Sequence, residues 1–241
     1  MYSQRMTVVS TTDERALVRA LLAEHGVAGA EYFGRFVNDS RYFDNSAFDS
    51  RAATPVLVDV LPRLTDPAVI ETVALHLKNP AARPKAFGAL YTAFLEWGTA
   101  SRGRVGWQLG EALVNAAPLR EAPVLIDIVT DPRYGVNRQQ IVLGLPRFRR
   151  ALDTERTLRE LIHDPEVAQQ AMYALRRVVG PQQTVDALEG VRQAHPGTVL
   201  ERQARHEIRK INRALRRQDG AGADPTGAEL GQALPLDAIS A

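Results

Sequence analysis

The chain repeats itself. The segment QQAMYALRRV at residues 169–178 aligns with QQIVLGLPRF at 139–148 and with RQARHEIRKI at 202–211. Looser copies are WQLGEALVN at 107–115 and ETVALHLKN at 71–79. Each copy carries an aliphatic anchor: Leu77, Leu113, Leu145, Leu175 and Ile208, spaced by 36, 32, 30 and 33 residues. A near-constant period of this length marks stacked supersecondary units. No one unit can bury its apolar face alone, so the face is covered by the next copy. The constraint on the fold is therefore an array of like units.

The unit is helical. Period-2 alternation is rare, Val/Ile clusters are short, and apolar residues recur at helical spacing throughout. A shorter helix precedes each copy, and three of the intervening turns are Asp-Pro: Asp66-Pro67, Asp131-Pro132 and Asp164-Pro165. Aspartate accepts hydrogen bonds from the orphan amides of the next helix, and proline suits its first turn because no hydrogen bond is lost there. The last unit has His195-Pro196-Gly197 at this place, and glycines between 98 and 104 replace the motif in another. Upstream, Thr12-Asp13 are expected to cap a helix carrying Ala16, Leu17, Ala20 and Leu21, ended by Gly26, with a second helix through Tyr32, Phe33 and Phe36. Residues 38–50, rich in Asn, Asp and Ser, read as a loop.

The Leu-x-x-Leu-x-Asp-Pro-x-Val run at 61–69, followed by a helix with small residues and a leucine, resembles HEAT repeats, including the HEAT-like repeats of the phycobilisome-lyase type. The resemblance covers about residues 54–217 and implies an all-α fold: an α-α superhelix, or HEAT-like solenoid, of about five helix pairs plus N-terminal helices. The arginine that often follows Asp-Pro-x-Val in that family is absent, with Ile70 and Ala168 in its place. The inter-repeat network it supports is expected to be replaced. Three regions follow: an N-terminal helical pair and loop at 1–50, the repeat array at 51–217, and a flexible tail at 218–241. The tail shifts to Gly, Ala, Asp and Pro, with sparse Leu230, Leu234, Leu236 and Ile239.

The 241 residues include no cysteine, which removes disulfides, thiolate zinc sites and cysteine nucleophiles. No apolar run spans a bilayer, and the N-terminus lacks a basic segment followed by an apolar one, so no membrane association and a cytoplasmic location are expected. Net charge is +2, unevenly spread. Residues 1–100 hold 10 Lys/Arg against 11 Asp/Glu, residues 101–217 hold 20 against 13, and the last 24 carry four acids and no base. Only three of the 30 bases are lysine. That bias matches genomic base composition, so arginine abundance alone says little about ligands.

Equivalent positions of stacked repeats form rows. The row two residues after the anchor reads Asn79, Asn115, Arg147, Arg177 and Lys210, and the preceding row adds Arg176 and Arg209. Arg138, Arg205 and Arg213 complete the candidate basic ridge. In the family that this chain resembles, the second helices line the concave side, so such a ridge suits an acidic surface or a phosphate backbone. Its alternative is a set of solvated arginines complementing helix C-termini. Residues 201–217 carry seven bases and two acids, with an apolar stripe of Leu200, Ala204, Ile208, Ile211 and Leu215: a capping helix, or an acidic-partner or nucleic-acid site.

The five histidines show no metal-ligand spacing, and no metal or cofactor is expected. Trp97 and Trp107 read as core residues or as a base-stacking or peptide-clamping pair. Tyr42, Phe43 and Phe48 either plug the N-terminal end of the array or anchor a partner. Neither a nucleophile elbow nor a Gly-rich phosphate loop is present. The expectation is a non-catalytic interaction or scaffold protein binding a protein partner on its concave face. The alternative is a nucleic-acid-binding solenoid using the basic C-terminal ridge. A third reading is a HEAT-like DNA glycosylase, for which Asp127, Trp107 and Arg138 supply the residue types.

Overall fold

The computed structural model describes residues 11–34, 48–99, 103–151 and 153–221. Among them the chain is all-helical, with eleven α-helices and no strand. The helices are α1 (Thr11–Glu24), α2 (Ser50–Val60), α3 (Pro67–His76), α4 (Phe87–Trp97), α5 (Val105–Ala116), α6 (Ala122–Thr130), α7 (Gln139–Gly144), α8 (Thr154–Leu161), α9 (Ala168–Val179), α10 (Pro181–Ala194) and α11 (Val199–Ala221). None of these is long and apolar enough to cross a membrane.

Local chemistry sets the helix ends. Gly26, at φ +68°, closes α1: its N–H reaches Ala23 O, and Val27 N–H reaches Leu22 O. These two bonds satisfy carbonyls that the helix leaves open, and glycine takes the left-handed angle without a Cβ clash. The Asp66 carboxylate accepts from Ala68 N and Val69 N with Pro67 in the first turn of α3, as the sequence predicts. At Asp131 the outcome differs. Its carboxylate accepts from Arg133 N, but the chain then runs through a 3-10 segment, Pro132–Arg138, before α7 begins. The second N-terminal helix expected through Tyr32, Phe33 and Phe36 is a correction: Ala30–Tyr32 form one 3-10 turn between Gly29 and Gly34, both at positive φ, and Phe36 lies outside the described residues. The array boundary expected at residue 217 is also passed, since α11 continues to Ala221. The tail beyond, and Tyr42 and Phe43, lie outside the described residues.

Packing follows the repeat. All five anchors are buried: Leu77, Leu113, Leu145 and Leu175 are fully inaccessible, and Ile208 nearly so. They lie in, or at the C-terminal end of, α3, α5, α7, α9 and α11. These helices form a row of neighbours in which α5 packs on α3 and α7, and α9 on α7 and α11. Partner helices pack beside them, with α2 against α4 and α6 against α8. One apolar core runs without a break from Val18 in α1 to Ile211 in α11. The expected stripe of α11 lies on this core through Leu200, Ala204, Ile208 and Ile211, with Leu215 partly covered. α5 and α7 approach closely because Gly144 has no side chain; a Cβ there would sit 2.3 Å from Val114 Cγ2.

At the N-terminal end, Phe33, Phe48 and His76 form a buried aromatic cluster, so Phe48 is a core residue. Burial lowers the His76 pKa to about 4, which keeps its ring neutral. Glu14 in α1 is also buried. Its carboxylate accepts from Thr65 N, Thr65 Oγ1 and Asp66 N, tying α1 to the turn before α3.

Candidate anion-binding cavity

Of the eight arginines and lysines expected to form a ridge, Arg138 must be withdrawn. It is 1% exposed. Its Nη1 lies 2.8 Å from Asp164 Oδ2 and donates to Val129 O, its Nε donates to Gly135 O, and its Nη2 lies 3.4 Å from Glu166 Oε2. This is an arginine bonding from one repeat to the Asp-Pro turn of the next. A guanidinium has donors enough to satisfy two carbonyls and a carboxylate at once, which a buried charge requires. The tie between these neighbouring units is thus made by a buried arginine at the end of the 3-10 segment Pro132–Arg138.

Three further ridge residues are committed to acids. Glu207 takes Arg176 at 3.3 Å and Lys210 at 3.2 Å, and Glu201 pairs with Arg205. Arg209 and Arg213 are exposed on α11 and form no ion pair with a described residue. A positive stripe along the second helices is thus interrupted at Glu207.

What remains, Arg147 and Arg177, comes together. Both line a cavity of about 820 Å³ crossed by α5, α7 and α9, along with Arg83, Arg149 and Arg150. The ridge residue Asn115 also lines it, so three consecutive positions of the row converge. Among the described residues of the lining, the one carboxylate, Glu111, is held 2.9 Å from Lys78 Nζ. None of the five arginines forms an ion pair with a described residue. Arg147 is fixed in place: its guanidinium donates to Asn115 O and Ala117 O at the C-terminus of α5, and its Cζ stands 4.5 Å from the centroid of the buried Phe148 ring. Arg177 Nη1 donates to Leu143 O at 3.4 Å. Burial, and secondarily the Arg83 charge, lower the Arg147 pKa from its ordinary value.

Arg83, Arg149 and Arg150 escaped the sequence reading because they lie outside the repeated helix segments, in the connections that follow α3 and α7. The signal available was the run Arg147-Phe148-Arg149-Arg150, which has no acid within it.

The glycosylase constellation is not assembled around Arg138, whose donors are engaged as described. Trp107 lines a cavity of about 300 Å³ with Gly103, Arg104, Val136 and Asn137, and no carboxylate is among these described residues. Both tryptophans are half-buried. His163 and His195, from equivalent turns of neighbouring repeats, meet with Nδ1 and Nε2 2.9 Å apart. Among the described residues, no group of three or more His, Cys, Asp or Glu side chains is placed to hold a metal ion.

No protein-family model, curated protein or solved structure matches this chain. The functional reading therefore rests on the cavity and on the repeat.

Proposed function

We propose that this chain is a non-catalytic interaction protein, a HEAT-like solenoid whose second helices dock an acidic segment of a protein partner in the arginine cavity. The solenoid reading draws on the repeat spacing and on the row formed by α3, α5, α7, α9 and α11. The functional reading is carried by one observation: five arginines line one concavity in which, among the described residues, the one carboxylate is already paired with Lys78. Gathering like charges without counter-ions costs free energy in the empty protein, and an anionic ligand recovers it. A cavity of this volume is of ligand size, within the usual range of about 300–1,000 Å³.

Nucleic acid is the second reading, favoured by Arg209 and Arg213 on α11. A phosphate backbone is best served by cations in a continuous line, and Glu207 breaks that line between Arg176 and Lys210.

The test is affinity capture of the tagged chain from its native cells, with and without nuclease, beside an Arg149→Glu/Arg150→Glu variant. Both side chains are exposed, so the variant is expected to fold normally. A protein partner that survives nuclease and is lost with the variant supports the proposal. Recovery of DNA or RNA with no protein counts against it.

A further inference from the structure

Resting on that reading, we infer that the cavity recognises a phosphorylated segment of the partner, holding two neighbouring phosphoryl groups among Arg83, Arg147, Arg149, Arg150 and Arg177. Charge density is the first argument. With Glu111 and Lys78 cancelling each other, five positive charges face a space of about 820 Å³. A carboxylate side chain brings one negative charge, so an unmodified acidic segment would need four or five carboxylates to match the site. A phosphoryl group brings about −1.5 to −2, so two of them supply about three to four charges from two side chains. Each also presents three acceptor oxygens to planar guanidinium forks.

Pre-organisation is the second argument. The bonds from Arg147 to Asn115 O and Ala117 O, and its stacking on Phe148, set the guanidinium before a ligand arrives. Little side-chain entropy is then lost on binding. Its remaining donors are available to the cavity.

The rest of the lining separates a phosphopeptide from a nucleic acid. No aromatic ring is among the described residues that line the cavity, and Phe148 is fully buried, so successive bases find no stacking platform. Instead Val114, Leu143 and Pro146 form an apolar wall, and Leu119 stands more than half exposed beside them. That surface suits the apolar side chains flanking a phosphorylated residue.

The experiment measures anisotropy of labelled probes with the purified full chain at physiological salt. The probes are a short peptide with two adjacent phosphoserines, the same peptide with two glutamates, and an oligothymidylate of similar length. The diphosphopeptide is expected to bind at least about tenfold tighter than the diglutamate peptide. Inorganic pyrophosphate is expected to displace it, and Arg149→Glu/Arg150→Glu to weaken it by more than about tenfold. Arg83→Ala is expected to weaken it less, with the fold intact. Equal affinity for the two peptides overturns the phosphate inference and leaves the acidic-segment proposal standing. Failure of both peptides overturns the inference, and the capture experiment then decides the broader proposal by itself. Tighter binding of the oligothymidylate overturns both.

Discussion

Replacing Arg138 by methionine tests the reassignment of this residue from ligand site to inter-repeat tie. The side chain is buried and joins four acceptors: Val129 O, Gly135 O, Asp164 and Glu166. Glu166 is half-exposed, so its share is under about 1 kcal/mol. Two backbone carbonyls lose their donor, and the Asp164 carboxylate loses its charge partner. Removing one member of a buried pair costs about 3–5 kcal/mol. For a chain of this size each kcal/mol lowers Tm by about 2–4 °C, so Arg138→Met is expected to lower Tm by roughly 6–20 °C. Far-UV circular dichroism during heating measures this. Asp164→Asn keeps the cap to Glu166 N but removes the charge, so it completes a double-mutant cycle. Coupling of at least about 1 kcal/mol is expected between two groups in direct contact. A Tm within about 2 °C of wild type, or additive single effects, would refute the tie. Arg138→Met is also expected to leave diphosphopeptide binding unchanged at temperatures where the variant is folded.

Three further outcomes follow from the packing. Leu175→Asp places an unpaired charge at a fully buried anchor, at a cost on the order of the whole stability; a soluble, helical variant with wild-type Tm would show the repeat register to be wrong. Gly144→Ala would stabilise an open helix by about 1 kcal/mol, but here the added Cβ meets Val114, so a loss of about 1–3 kcal/mol in urea unfolding is expected, with Val114→Ala restoring most of it. His76 has its folded pKa lowered to about 4 from 6.5, so the unfolded state binds the proton first as pH falls. Stability is therefore expected to drop as pH falls from about 6.5, levelling off near 4, by about 3 kcal/mol in all. His76→Met is expected to flatten that slope, and an unchanged slope would place the acid sensitivity elsewhere.

Helices and anchors were legible because their signals are local. The spacing of Leu77, Leu113, Leu145, Leu175 and Ile208 marks positions that every copy must bury, and the cap at Asp66 is written within four residues. Glycines were less legible: Gly29 and Gly34 turn the expected second helix into a single 3-10 turn, an outcome that composition at Tyr32 and Phe33 does not announce. Charge was legible only where both partners stand on one helix. The Glu207–Lys210 and Glu201–Arg205 pairs can be read from their three- and four-residue offsets. Arg138 finds its acids 26 and 28 residues onward, and Arg176 finds Glu207 31 residues onward, in both cases on the neighbouring repeat.

A row of like charges read from aligned repeats therefore overstates the free charge, because the stacking that builds the row also brings acids from the next unit against it. Arg176 is spent this way on Glu207, while Arg205 and Lys210 are paired within α11 itself. The charges that survive lie where a connection, rather than a second helix, meets the row: Arg83 after α3, and Arg149 and Arg150 after α7, beside Arg147 and Arg177. Connections carry no repeat constraint, so nothing in the architecture requires arginine there. Arg147 and Arg177 also bond to carbonyls of the preceding unit. The side chains of Arg83, Arg149 and Arg150 bond to no described residue, and that surplus of cation over any structural need is the physical reason to propose a ligand for the group.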